Sequence, residues 1–292
     1  MVVIVSTGNV GNVRGTRGRN DRVFPETRWV SAIIVPFLVA AFAILYLFPD
    51  HTNELFAWGI QPRMSAMMLG AAYIGGAYFF VRVVAFARWH LVKVGFLPVA
   101  TFAALMGIAT ILHWDRFSHS HISFFAWAAL YFTTPFIVFL LWLRNRSTDP
   151  GPNTSHDRRV PRLVRLVIGI VGGLTLLTSI FLFLQPGFMI STWPWQLTPL
   201  TARVMGALFA LTGVGELAIA LDVRWSAARI ALQSQMIGIV AIGLAIFFSW
   251  SNFNQANPLT WIFLASILFL LVASPLLYIW METRGKVLDG AT

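Results

Sequence analysis

Few residues in this sequence are placed to do chemistry, and two groups of them stand out. Glu216 is the one carboxylate within the long apolar run Leu200 to Leu221. It follows Gly213 and Gly215, which leave space beside it. It lies six residues before Asp222, so about 9 Å from that end of the run at helical rise. In the next run, Gln233, Ser234 and Gln235 begin one turn beyond Arg229. If the two runs are antiparallel helices joined by a short loop, Gln235 reaches nearly the depth of Glu216. In the first half of the chain, Arg82 interrupts the apolar stretch Phe79 to Phe86. Ionisable groups in such runs mark substrate or ion paths. We therefore expect Glu216, Arg82, Gln235 and Gln233 to line one, with Arg82 and Glu216 approaching each other through Gln235. The plainer alternative has Arg82 snorkelling to lipid headgroups and Glu216 bonded locally. Arg203 lies 13 residues before Glu216, about 20 Å away along the helix, and reads as an interfacial arginine.

The second group is His113, Asp115, His119 and His121, three imidazoles and a carboxylate within one loop. These are ligand types for zinc or copper. The alternative is a solvated polar turn. The corresponding loop of the second half holds Ser249, Ser251, Asn252 and Asn254, so no duplicated metal site is implied.

Other cofactor chemistry finds little support. A membrane haem usually takes two histidines from facing helices, and here all six fall at ends of apolar runs or in loops. The chain has no cysteine, which excludes disulfides, thiolate zinc sites, iron–sulfur clusters and a thiol nucleophile. There is no HExxH sequence and no phosphate-binding glycine loop. An enzyme is the weaker expectation, and the identity of any cofactor stays open.

The elements that must position these residues are legible in the hydropathy. Hydrophobic residues make up 58% of the 292 and charged residues 11%, a balance suited to lipid. Apolar runs of spanning length occur at Val30 to Phe48, Met64 to Ala87, Val94 to Leu112 and Ile122 to Leu143. Four more occur at Leu166 to Leu184, Leu200 to Leu221, Ile230 to Phe248 and Leu259 to Trp280. None alternates as a barrel strand does. The expected fold is an all-α polytopic integral membrane protein with eight transmembrane helices.

Charge sets the orientation. Of the 21 basic residues, 18 fall in the loops and tails of one side, among them Arg14, Arg17, Arg19, Arg88, Lys93, Arg144, Arg159 and Arg224. The other side has Arg63, Arg116 and Arg203. The positive-inside rule places both termini in the cytoplasm. The net charge of +10 is spread between apolar runs, which argues against nucleic acid as a partner and for the bilayer, with anionic headgroups at the inner face. The 12 tryptophans fall near the ends of the runs and read as interfacial belts.

Landmarks recur in order at a spacing of 136 to 140 residues. Trp58 and Pro62 match Trp195 and Pro199, and Gly70 matches Gly206. Arg88, Trp89 and Lys93 match Arg224, Trp225 and Arg229. Trp114 and Phe117 match Trp250 and Phe253, and Thr134-Pro135 matches Ser274-Pro275. This pattern predicts two parallel four-helix repeats about a pseudo-twofold axis along the membrane normal. The divisions are a disordered basic cytoplasmic tail at 1–27, a first repeat at 28–144, a cytoplasmic linker at 145–162, a second repeat at 163–281 and a cytoplasmic tail at 282–292. Pro135 and Pro275 should kink their helices. The pairs Ala71/Gly75, Gly169/Gly173, Gly206/Ala210 and Ser234/Gly238 mark close helix contacts.

The stretch Leu47-Phe48-Pro49, then Phe56-Ala57-Trp58-Gly59-Ile60-Gln61-Pro62, and later His113-Trp114-Asp115-Arg116-Phe117, resembles segments of uncharacterised bacterial multi-pass membrane proteins with no established activity. The resemblance implies an inner-membrane location and nothing about substrate. Three functions are consistent with the residues: a small-solute or ion transporter, a non-catalytic subunit or assembly factor of a larger membrane complex, or a membrane enzyme with an outer-face metal site. Transport is favoured by the repeat and by Glu216. A homo-oligomer or a partner within a membrane complex remains compatible with all three.

Overall fold

A computed structural model describes residues 20–86, 88–151 and 157–289, with side chains up to residue 284. Arg14, Arg17, Arg19 and most of the 1–27 tail lie outside the described residues. So do His156 in the linker and residues 290–292.

Eight long helices form, labelled α1 (Pro25–Phe42), α2 (Arg63–Ala85), α3 (Phe96–Leu112), α4 (Ile122–Asn145), α5 (Arg162–Leu184), α6 (Pro199–Leu221), α7 (Trp225–Phe248) and α8 (Pro258–Asp289). A π-helical turn, Ala43–Leu47, prolongs α1. Short helices at Thr52–Leu55 and Pro186–Thr192 precede α2 and α6. No strand forms among the described residues. All eight long segments have the length and hydropathy to cross a membrane, which points to a multi-pass membrane protein. Their outward faces agree: Leu221 is 80% exposed and Phe247 76%, an arrangement that suits lipid and not water.

Within the first four helices α1 packs on α2 and α3 on α4; within the second four α5 packs on α6 and α7 on α8. Between the two sets α2 meets α7 and α3 meets α6. Small residues make these approaches close. A Cβ on Gly75 would lie 2.8 Å from the Ser234 carbonyl oxygen, and one on Gly238 would lie 3.4 Å from that of Ala71. The two small-residue pairs of α2 and α7 therefore face each other. Gly70 sits against Tyr46, and Gly206 sits against Ser179 and Phe183. The expected pair Gly169/Gly173 is corrected: Gly173 faces open space, and Gly172, three residues after Gly169, makes the close contact with α6.

Connections on one side of the bundle contact one another. The amide of Asp21 donates to Thr148, that of Trp89 to Asp21, and that of Trp225 to Arg158. We call this the terminal end, because both described ends of the chain lie there. At the opposite end, Ser118 N–H donates to Ala57 and Asn254 N–H to Pro194, both at 2.8 Å. Trp58 packs on Phe117 and Trp127 with centroids 5.0 and 4.8 Å away; Trp195 packs on Phe253 and Phe263, each at 5.2 Å. The same contacts thus recur in each set of four helices.

Several boundaries differ from expectation. Residues 20–24 are tied to the body, with Phe24 N–H donating to Asn145 and Asp21 bonding His90, and α1 starts at Pro25. Helix α8 continues to Asp289, past residue 282. Helices α4 and α8 run on through Pro135 and Pro275. The tryptophans divide into two kinds. Trp29 is 72% exposed and suits a belt, but Trp58, Trp89, Trp127, Trp193, Trp195 and Trp225 are buried in the bundle. An indole is large enough to fill a helix junction as well as to sit at an interface.

Candidate functional site

Glu216 sits on α6 and is 6% exposed. Gly172 of α5 makes room for it, since a Cβ there would lie 2.8 Å from the Glu216 Cβ. Gln235 of α7 donates through Nε2 to Glu216 Oε1 at 3.1 Å, joining the amide and carboxylate that helical rise places at one depth. Among the described residues Glu216 Oε2 has no hydrogen-bond partner.

Gln233 belongs to a different site. Two residues along a helix is a rotation of about 200°, so Gln233 and Gln235 leave α7 on opposite faces. Tyr78 of α2 donates its hydroxyl to Gln233 Oε1 at 2.7 Å, and Gln233 Nε2 donates to the Tyr278 hydroxyl of α8 at 2.7 Å. Arg82 Nη1 donates to Tyr78 at 3.1 Å, and its guanidinium stacks over Phe86 at 4.3 Å. At the other end of this ladder Arg229 Nε donates to Tyr278 at 3.3 Å and pairs with Glu282 at 3.0 Å.

The approach of Arg82 to Glu216 is therefore corrected: no ion pair joins them. The sequence spacing of the landmarks fits this. The position on α6 that corresponds to Arg82 is Ala218, two residues from Glu216 and on another face.

At the opposite end, the residues expected as metal ligands are engaged separately. Arg203 Nη1 lies 2.7 Å from His113 Nε2, so the supposed interfacial arginine bridges α6 to the end of α3. Burial and the Arg203 charge push the His113 pKa down. Asp115 pairs with Arg116 at 3.2 Å, while His119 packs between Trp114 and Phe124. His121 precedes α4. Among the described residues no group of three or more His, Asp or Glu is placed to hold a metal ion.

Sequence reasoning missed a buried ionic network at the terminal end. Arg224, 2% exposed, donates Nη1 and Nη2 to Asp149 at 2.8 and 3.1 Å. It donates Nε and Nη2 to Asp222 at 3.0 and 2.8 Å. Lys93 Nζ lies 2.7 Å from Asp149 and 2.6 Å from Asp222. Linker, first half and second half meet here. Burial alone would raise the Asp222 carboxyl; hydrogen bonds from Arg224 and Lys93 outweigh it and hold the pKa at about 2. Asp149 is held low by the same balance. The sequence signal was slight: Asp222 two residues before Arg224, and Asp149 within the linker.

Set against protein-family models, curated proteins and solved structures, the chain matches none of them.

Proposed function

We propose that this protein is a small-solute or ion transporter of the cell membrane, built as two parallel four-helix repeats with both termini cytoplasmic. The observation that carries the reading is Glu216: a carboxylate 6% exposed in an apolar helix, with one oxygen held by Gln235 and the other without a partner among the described residues. Such a group is costly in a membrane helix and is the kind of residue that exchanges a proton or a cation. The duplicated architecture is supported by equivalent contacts. Arg28 Nε donates to the Val84 carbonyl at 3.0 Å, and Arg165 Nε donates to that of Ala220 at 2.7 Å. Asp21 receives the His90 amide at 3.0 Å, and Asp157 receives the Ser226 amide at 3.3 Å. The orientation is supported by the exposed Arg22, Arg88, Arg146, Arg159 and Arg162, all at the terminal end. There they are positioned to attract anionic headgroups.

A second reading, a non-catalytic subunit or assembly factor, is favoured by the Arg224 network, which ties both halves to the linker and suits a rigid scaffold. An outer metal enzyme would rest on His113, Asp115, His119 and His121 gathering around an ion.

The test is flux. Proteoliposomes holding the full chain and a pH- or sodium-sensitive dye are challenged with proton and sodium gradients. We expect flux above that of protein-free liposomes, lost in Glu216→Gln, which keeps an acceptor for Gln235. Flux equal in the variant and the parent would overturn the role of Glu216. Absence of flux in the parent under both gradients would favour the subunit reading.

A further inference from the structure

The ladder Arg82–Tyr78–Gln233–Tyr278–Arg229 lies across α7 between α2 and α8, and its hydrogen-bond inventory does not balance. The Tyr278 hydroxyl accepts from both Gln233 Nε2 and Arg229 Nε, which leaves its own O–H unspent. Reversing the Gln233 amide moves the surplus donor to Tyr78 and does not remove it. At the other end Arg82 Nε is enclosed without a hydrogen-bond partner among the described residues. Among the described residues Arg82 forms no ion pair with a carboxylate, whereas Arg229 has Glu282. The ladder therefore carries one uncompensated positive charge and surplus donors, and it lacks an acceptor-rich anion.

Its position selects the anion. Arg82 is three residues from the end of α2, about 5 Å, and Gln233 is eight residues into α7, about 12 Å. Arg82 thus lies near the boundary of the hydrocarbon, and the ladder runs from there into the upper part of the acyl-chain layer. The positive end of the α7 dipole points the same way. Beside the polar groups, Val81 of α2 and Leu276 and Ile279 of α8 are exposed and apolar. A charged head above two greasy walls matches an amphiphile, not a free ion.

We propose that this ladder seats the phosphate of an anionic phospholipid, with the acyl chains along the exposed faces of α2 and α8. Phosphate oxygens accept from the Arg82 guanidinium and from the surplus tyrosine O–H, and the charge of Arg82 is neutralised. The site stands apart from Glu216, on the other side of α7, so it does not depend on the transport reading.

The experiment uses the full chain in mild detergent, titrated with phosphatidylglycerol or with diacylglycerol, which has the same glycerol and chains but no phosphate, and read by native mass spectrometry and thermal unfolding. We expect phosphatidylglycerol to bind roughly tenfold more tightly than diacylglycerol, the size of one charged hydrogen bond to the phosphate. That preference should vanish in Arg82→Ala and shrink in Tyr278→Phe, which removes one hydroxyl and keeps the ring should the first variant fold poorly. Equal binding of the two lipids to the parent, or an unchanged preference in Tyr278→Phe and in any folded Arg82→Ala, overturns the proposal. Displacement of the lipid by millimolar inorganic phosphate, with the same stabilisation, would overturn the lipid as occupant and assign the seat to a free anion.

Discussion

At the opposite end of the bundle Trp58 on Phe117 is answered by Trp195 on Phe253. At the terminal end Arg224 is sealed between Asp149 and Asp222, while Arg88, its counterpart by spacing, lies exposed. The first region keeps equivalent residues in equivalent packing; the second keeps the residue type and changes its surroundings. Apolar contacts are non-directional and occur in both halves. A buried arginine needs specific carboxylates, and Asp149 and Asp222 stand beside Arg224. The same contrast separates Glu216 from Phe80, which occupies the corresponding place in α2 and is buried as an ordinary core side chain. Positions where the halves diverge in charge are thus the places to look for activity.

The comparison is sharpest at the two arginines. Arg224→Ala should destabilise the protein by about 3–5 kcal/mol, because it takes the guanidinium away from two enclosed carboxylates. Arg88→Ala should change stability by no more than about 0.5 kcal/mol. Unfolding of both variants in one detergent reads the difference directly, and equal shifts would dissolve the asymmetry. Acid offers a second route. Asp222 is held at about 2 against an ordinary 3.8, so its stabilising contribution is complete above pH of roughly 4 and is lost as pH falls toward 2. The contribution of Asp222 to that loss should be on the order of 2 kcal/mol, so the acid loss should be smaller in Asp222→Asn, where Asp149 is the carboxylate still held low. Two glycines give the smallest contrast. Gly75→Ala should cost about 1 kcal/mol, since its methyl meets the Ser234 carbonyl oxygen, whereas Gly173→Ala, facing open space, should be neutral or slightly stabilising. Similar melting shifts in both would mean that α2 and α7 are not in close contact.

Much of the frame was legible because length and hydropathy alone define a candidate span. Met64 to Ala87 in the hydropathy became Arg63–Ala85 in the fold, and Leu200 to Leu221 became Pro199–Leu221. The Glu216–Gln235 bond was legible too, because axial depth follows from counting residues back from a loop. Angular position was harder. Arg82 and Glu216 share a depth but face different neighbours, and Gln233 and Gln235 separate for the same reason. The Arg224 network escaped because Asp149 lies 75 residues away in sequence, in a segment that reads as linker. The short helix Pro186–Thr192 and the π turn Ala43–Leu47 lack any periodic signal long enough to detect.

The central claim is architectural: eight crossings, with the terminal end on the cytoplasmic side. Because the chain has no cysteine, single cysteines report on it without background. Placed at Ser120, Ser147, Gln255 and Thr283, they would be challenged in intact cells with a membrane-impermeant maleimide. We predict labelling at Ser120→Cys and Gln255→Cys, and protection of Ser147→Cys and Thr283→Cys until the membrane is opened. Labelling of Ser147→Cys or Thr283→Cys together with Ser120→Cys from outside would contradict the account.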